Sequence, residues 1–389
     1  MIPYDLPPYF MLSWMFLYGS VIGSFLTVCV HRLPQHRGVF AAWWSLIAKA
    51  SHCDRCQQHL LARDNIPILG WLLLGGRCRF CKKSIPVKYP LIELANGLLF
   101  AGLYAMEVPL NYWNPLSASC LSSTLSPTAF DNAWGLSPLV MVNCRYVYHL
   151  VLLECLFVAS LIDWNTRTIP ASVTLPALLA GLVGAAAFGQ FWFIPVWFHD
   201  VSLMDSISLS YPTSWNWNGL LLEVPTWISQ HPHGHGLVVS LAGIIVGGGL
   251  LCAVRTMGRR GWGNDTLRSG DILLMATVGS FIGWQPVIVV LCLAAILAFV
   301  ATSIWRRLCP GQCVSYPTCL SPTAILVLFS WRWLWPDVEP YFSIGPALLM
   351  LSCGVTLASL PAVFLYQYLR LRSERRVTTE HCIQGCLKS

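Results

Sequence analysis

The chain has 389 residues, 56% of them hydrophobic and only 11% charged, with a formal net charge of +7. Soluble domains carry about 25% charged residues, so this composition excludes an ordinary globular enzyme. The positive charge is concentrated between apolar runs; it reads as a topology signal and gives no reason to invoke nucleic acid.

A bilayer-spanning helix needs about 20 apolar residues. Nine runs qualify: 9–30, 89–107, 147–163, 172–197, 237–256, 271–284, 286–305, 322–335 and 344–368, the sixth and eighth being short. The expected fold is therefore all-α, a polytopic membrane helix bundle of eight or nine transmembrane helices with a small cytoplasmic zinc-binding insertion. Of the 24 Lys and Arg residues, 22 fall on alternate connections, and the opposite loops, about 108–144 and 198–236, have none. The positive-inside rule then places the N-terminus outside and the tail in the cytoplasm. The start of the chain, Met1 to Pro8, lacks a basic stretch and a small-residue cleavage site, so the first run reads as a retained helix.

After the first run, segment 32–88 carries Cys53-x-x-Cys56 and Cys78-x-x-Cys81. Each pair has the spacing that lets two thiolates reach one tetrahedral metal, and a reducing compartment disfavours disulfides. Four thiolates fill the coordination sphere, so the zinc expected there is structural. Glu93 opens the second run and reads equally as an interfacial acid or as part of a methyl-donor site. Loop 108–145 is rich in Ser, Asn and Pro, and Cys120 could pair with Cys144 across it. Cys29, Cys155, Cys252, Cys292 and Cys353 read as small hydrophobes.

The third run ends in Leu161-Ile162-Asp163-Trp164-Asn165-Thr166-Arg167-Thr168-Ile169-Pro170. A carboxylate beside hydrocarbon is costly and marks a functional candidate. Glu154, nine residues earlier, is about half a turn out of phase and roughly 13 Å deeper, too far to share a water with Asp163; it reads as a neutral, hydrogen-bonded packing acid. Loop 198–236 mixes Trp with His231, His233 and His235, which alternate in a Pro/Gly-rich turn that could hold a metal. The sixth run opens on Gly270-Asp271, with Ala276, Gly279 and Gly283 spaced for close helix approach. Asp265, in Gly263-Asn264-Asp265, is the rival acid, read as part of a solvated loop. Cys309, Cys313 and Cys319, and His381 with Cys382 and Cys386, resemble metal spacings only loosely and read as unstructured cysteines. Two acids at the same membrane edge can face each other, one activating water and the other holding a proton, as an aspartic endopeptidase requires.

Five blocks, in order, resemble the prepilin peptidase family, the leader peptidases and N-methyltransferases of type IV pilus and type II secretion systems. Gly23-Ser24-Phe25-Leu26-Thr27-Val28-Cys29-Val30-His31-Arg32-Leu33-Pro34 is similar to the family's first-helix exit. Asp64-Asn65-Ile66-Pro67-Ile68-Leu69-Gly70-Trp71-Leu72 lies between the cysteine pairs, and Tyr89-Pro90-Leu91-Ile92-Glu93-Leu94 follows. Asp163 with Ile169-Pro170 and Gly270-Asp271 with Gly279 match the two acid motifs. The chain departs from the family at Arg268, where GxGD has its first Gly, at Leu273, in place of Lys, and at Ala171 and Thr27.

The resemblance implies removal, after Gly, of a basic leader from prepilin or pseudopilin substrates, with Asp163 and Asp271 catalytic and Cys53, Cys56, Cys78 and Cys81 on zinc. It also implies N-methylation of the new terminus from S-adenosylmethionine, in an inner-membrane, multi-pass protein. Residues 1–31 would form the first transmembrane helix and 32–88 the cytoplasmic zinc module. Residues 89–335 would form the membrane peptidase core, and 336–389 an extra helix with a basic tail. A transporter using membrane carboxylates and a silent assembly scaffold are the competing readings. Neither the particular substrate nor an oligomeric state is legible.

Overall fold

The computed structural model describes residues 8–36, 38–48, 52–53, 55–108, 138–189, 191–196, 230–262, 267–308 and 316–342. The ninth apolar run, most of both outer loops, Asp265, Cys120, Cys309, Cys313 and the tail lie outside them. Among the described residues the chain is helical, with only two isolated bridges and no strand.

Among the described residues ten α-helices follow one another: α1 (Pro8–Arg32), α2 (Val39–Ala48), α3 (Leu69–Leu73), α4 (Lys88–Glu107), α5 (Pro138–Thr166), α6 (Ala171–Phe188), α7 (Pro232–Trp262), α8 (Ser269–Ile282), α9 (Trp284–Leu308) and α10 (Tyr316–Phe342). Proline opens α1, α5 and α7, where its missing N–H costs nothing. The run expected over 172–197 ends earlier, because Gly189 takes a left-handed conformation (φ +70) that closes α6. Conversely α5 starts nine residues before the run expected at 147. Pro232–His235 opens α7 and is no turn, and the His233 and His235 imidazoles go to Ala186 O and the Val196 N–H. That pairing to backbone replaces the metal reading.

Among the described residues six helices are long and apolar enough to cross a membrane: α1, α4, α5, α6, α7 and α9. Helix α8 is only 14 residues, but every residue from Leu274 to Ile282 is buried, so protein rather than lipid surrounds it. Helix α10 carries Arg332, Asp337 and Glu339 in its second half.

The bundle is assembled where small residues let backbones meet. A Cβ on Gly279 of α8 would overlap the carbonyl of Gly243 on α7, and one on Gly243 would overlap that of Gly279. This is the close crossing expected from Ala276, Gly279 and Gly283, although Gly283 (φ +82) serves to end the helix. Tyr148 of α5 then ties α6 to α8: its phenol lies 3.0 Å from Gly181 O and 3.2 Å from Ser280 O, one proton shared between two carbonyls. Helices α1 and α4 pair separately through Gly19, Gly23 and Gly97, with Asn96 Nδ2 donating to Gly19 O at 2.9 Å. The pair meets α5 at a buried polar cluster, where Glu107 Oε1 is 2.6 Å from His149 Nδ1 and its Oε2 is 3.8 Å from Arg145 Nε.

Candidate active site and cysteine module

Asp163 lies in the last turn of α5 and is 4% exposed. The helix closes when the Arg167 N–H reaches Asp163 O at 2.9 Å, with Arg167 in a left-handed conformation (φ +56). The chain then turns back through Ile169, and Pro170, in extended conformation, caps α6. Gly270 sits against this turn, so close that a Cβ would overlap the carbonyl of Ile169. The two acid motifs, a hundred residues apart in sequence, therefore meet backbone to backbone.

Asp271 is the third residue of α8 and is 2% exposed. Its Oδ2 accepts the Arg268 N–H at 2.8 Å, the return half of a capping box. Asp163 stands within its electrostatic reach, and Asp163 Oδ2 has no hydrogen-bond partner among the described residues. The departure at Arg268 now has a physical account. Its backbone is extended (φ −94, ψ 160), a conformation open to any residue, its main-chain N–H reaches Asp271, and its guanidinium stands within electrostatic reach of the same carboxyl. A side chain is excluded at 270 by the Ile169 carbonyl, whereas the backbone at 268 accepts one.

The Glu154 carboxyl oxygens are buried beside Asn96 of α4.

The cysteine module contains a repeat that composition conceals. His52 bridges His59 and Arg77 bridges Ser84, 25 residues on. In each unit the first cysteine N–H bonds the carbonyl five residues ahead (Cys53 to Gln58, Cys78 to Lys83). In each, too, the residue after the second cysteine is left-handed (Gln57 φ +59, Lys82 φ +58). The two knuckles bring the Sγ atoms of Cys53, Cys56, Cys78 and Cys81 within 4.8 Å of one another. Thiolates sharing one tetrahedral zinc at about 2.3 Å stand about 3.8 Å apart, so the quartet fits that metal. The backbone N–H groups of Cys81 and Phe80 help pull the Cys78 thiol down to about 7. At Cys56 the N–H of Gln58 is outweighed by burial and the neighbouring thiols, which push it up to about 11.

Between the knuckles runs a clamped loop. Arg79, inside the second knuckle, donates to Asp64 through Nε (2.8 Å) and Nη2 (2.6 Å) and holds that carboxyl below its usual range. Leu69 N–H bonds Pro67 O at 2.6 Å around Ile68 (φ +63, ψ −54), a γ-turn of the rare, strained kind and a true outlier for a β-branched residue. The Ile68 N–H donates to Glu93 Oε2 at 2.7 Å. Glu93 is thus a loop anchor at the entry of α4.

Sequence reasoning missed two features next to the acids. Helix α2 places Trp43 Nε1 on Ser172 O at 2.9 Å, two residues past Pro170, and packs Ala42 and Leu46 in one cluster with Ile162. Its signal was the apolar run 39–48, too short to count as a span. Cys319, read as an unstructured cysteine, is buried in the first turn of α10. The apolar run at 322–335 marked that helix, but its polar first turn hid where it begins.

A bundle of apolar helices that buries two carboxyls within electrostatic reach of each other has the pattern of a membrane-embedded aspartic peptidase, and the comparisons are specific within that class. Residues 17–107 match the bacterial peptidase A24 N-terminal domain, and residues 150–303 match the type IV leader peptidase family. A prepilin leader peptidase/N-methyltransferase of Klebsiella pneumoniae is 30% identical over 295 residues, 74% of this chain and 92% of the relative. Proteins of the same description from Aeromonas salmonicida (strain A449) and Burkholderia pseudomallei (strain 1026b) are 26% and 28% identical. They cover 75% and 77% of this chain and 79% of each relative. No solved structure matches. The chain belongs to the type IV leader peptidase family.

Proposed function

We propose that Asp163 and Asp271 are the catalytic pair of a prepilin-processing peptidase. The observation that carries this is the seating of Gly270 on the Ile169 carbonyl, which brings two buried acids to one end of the bundle. With one acid charged and one protonated, the charged carboxylate takes a proton from water as the water oxygen attacks the scissile carbonyl. The other carboxyl protonates the leaving amine. A mechanism that needs one acid charged and the other protonated gives a bell-shaped pH–rate profile, its limits belonging to the dyad.

The substrate class is a prepilin or pseudopilin whose apolar helix stays in the bilayer. Both acids lie toward the side proposed to be cytoplasmic, with the N-terminus outside and the tail inside, and the expected eight or nine spans stay part of this proposal. Cys53, Cys56, Cys78 and Cys81 would hold a structural zinc, which fixes the two knuckles and supplies no reacting group. For S-adenosylmethionine we assign no residue: Glu93, with one oxygen on Ile68 N–H, serves the loop. The transporter and scaffold readings lack a comparable observation.

The test is cleavage of a prepilin substrate by membranes containing each variant. Asp163→Asn and Asp271→Asn should each abolish leader removal while the protein still accumulates in the membrane. Full processing by Asp271→Asn, with loss in Asp265→Asn, would transfer the role to Asp265.

A further inference from the structure

Helix α10 begins at Tyr316, beyond residue 303 where the match to the leader peptidase family ends. Its first turn nevertheless closes on the paired acids. Tyr316 is fully buried, and Cys319, three residues on and so on the same face, is 4% exposed. The Tyr316 phenol lies within electrostatic reach of Asp271, and the Cys319 thiol within reach of Asp163. The phenol also meets Leu291 O of α9 at 3.4 Å. From the turn that follows Asp163, Arg167 reaches across 151 positions to donate to Thr318 Oγ1 at 3.0 Å. The helix packs along α5 and α9 and touches α8, so three segments converge: turn 167–170, the start of α8 and the start of α10. Asp163 Oδ2, buried and without a hydrogen-bond partner among the described residues, belongs to that convergence.

We propose that the first turn of α10 is a wall of the catalytic chamber, and that Tyr316 and Cys319 limit the size of the substrate residue at the scissile bond. On this proposal a peptide bond held by both acids lies against these two side chains. The turn after Asp163 and the Gly270 contact are main chain against main chain and cannot yield. The wall is the part made of side chains, and so the part that sets what fits. Arg167 and Thr318 position it, tying it to the strained turn at Arg167.

The proposal rests on the peptidase reading, and the experiment separates the two. Full-length protein is given three prepilin substrates that differ only in Gly, Ala or Val before the bond. Removing one atom from a pocket wall is worth roughly tenfold in discrimination, so Cys319→Ala should raise the Ala-to-Gly ratio of kcat/KM by about that factor. Tyr316→Leu should raise the same ratio, and Tyr316→Phe, which keeps the ring, should not. Thr318→Val should lower kcat without raising KM for the Gly substrate, and Thr318→Ser should restore it. An unchanged ratio in whichever of Cys319→Ala and Tyr316→Leu accumulates, with Gly cleavage intact, overturns the wall. Cleavage by Asp163→Asn at the wild-type rate would instead overturn the peptidase reading, and the wall with it.

Discussion

Gly270 shows what a single atom decides. Adding a Cβ there drives it into the Ile169 carbonyl, a main-chain atom held by the Pro170 cap of α6. Since misplacing a reacting group by about 1 Å can cost 10²-fold in rate, Gly270→Ala should lower kcat by roughly that factor with little effect on membrane accumulation. Arg268→Gly, which restores the family's residue, should leave kcat nearly unchanged, because the N–H that reaches Asp271 is kept. Steady-state cleavage by the two variants side by side checks both, and a large gain from Arg268→Gly would show that the guanidinium matters. At this scale the acids were legible, since a carboxylate is rarely kept beside hydrocarbon without use. The need for Gly270 was visible only as a motif letter; its cause is a contact between segments a hundred residues apart. Cys319 shows the limit more plainly, because nothing local to it announces Asp163.

At the scale of elements, hydrophobic length located the helices well and their ends poorly. Helix α5 runs back to Pro138 through Arg145, whose charge reads as loop in sequence but is met in the fold by Glu107. Gly189 ends α6 ahead of an apolar stretch, Phe191–Val196, that hydropathy alone reads as more helix. The cysteine knuckles were legible as spacing, whereas their repeat lies in backbone conformation at Gln57 and Lys82. That geometry yields a prediction about zinc. Purified protein should carry about one zinc per chain, lost in Cys53→Ser/Cys81→Ser and on exposure to a strong chelator. Losing it should free Arg79 from its knuckle and thereby Asp64, so amide exchange should rise across 62–70. Arg79→Gln should reproduce the faster exchange with the zinc retained. Metal analysis paired with exchange mass spectrometry reads both, and unchanged exchange in the metal-free protein would break the proposed link between knuckle and loop.

The whole molecule poses a problem of charge. On the proposed orientation, the side that presents the acids also presents Arg167, Arg255, Arg259, Lys82, Lys83 and Lys88. A basic leader brought to that side meets like charge. At physiological salt the repulsion is screened over about 8 Å, so it neither guides the leader in nor bars it. Recognition must come from elsewhere, and the fold offers two sources. One is the lipid-facing flank of the apolar helices, on which a substrate's own helix can lie. The other is the narrow approach to Asp163 and Asp271, both nearly inaccessible in the fold as it stands. A residue without a Cβ lets the substrate backbone approach closely, whereas a β-branched one both widens and stiffens it. Neutralising the leader's charges should therefore slow cleavage only modestly, within about threefold where exposed pairs are worth under about 1 kcal/mol each. Replacing the Gly before the bond with Val or Ile should stop it. Matched substrate series, assayed at low and at physiological salt, decide the matter: steep dependence on leader charge, combined with tolerance of Val at the bond, would mean that the leader is read by electrostatics and that the approach to the acids is wider than this fold draws it.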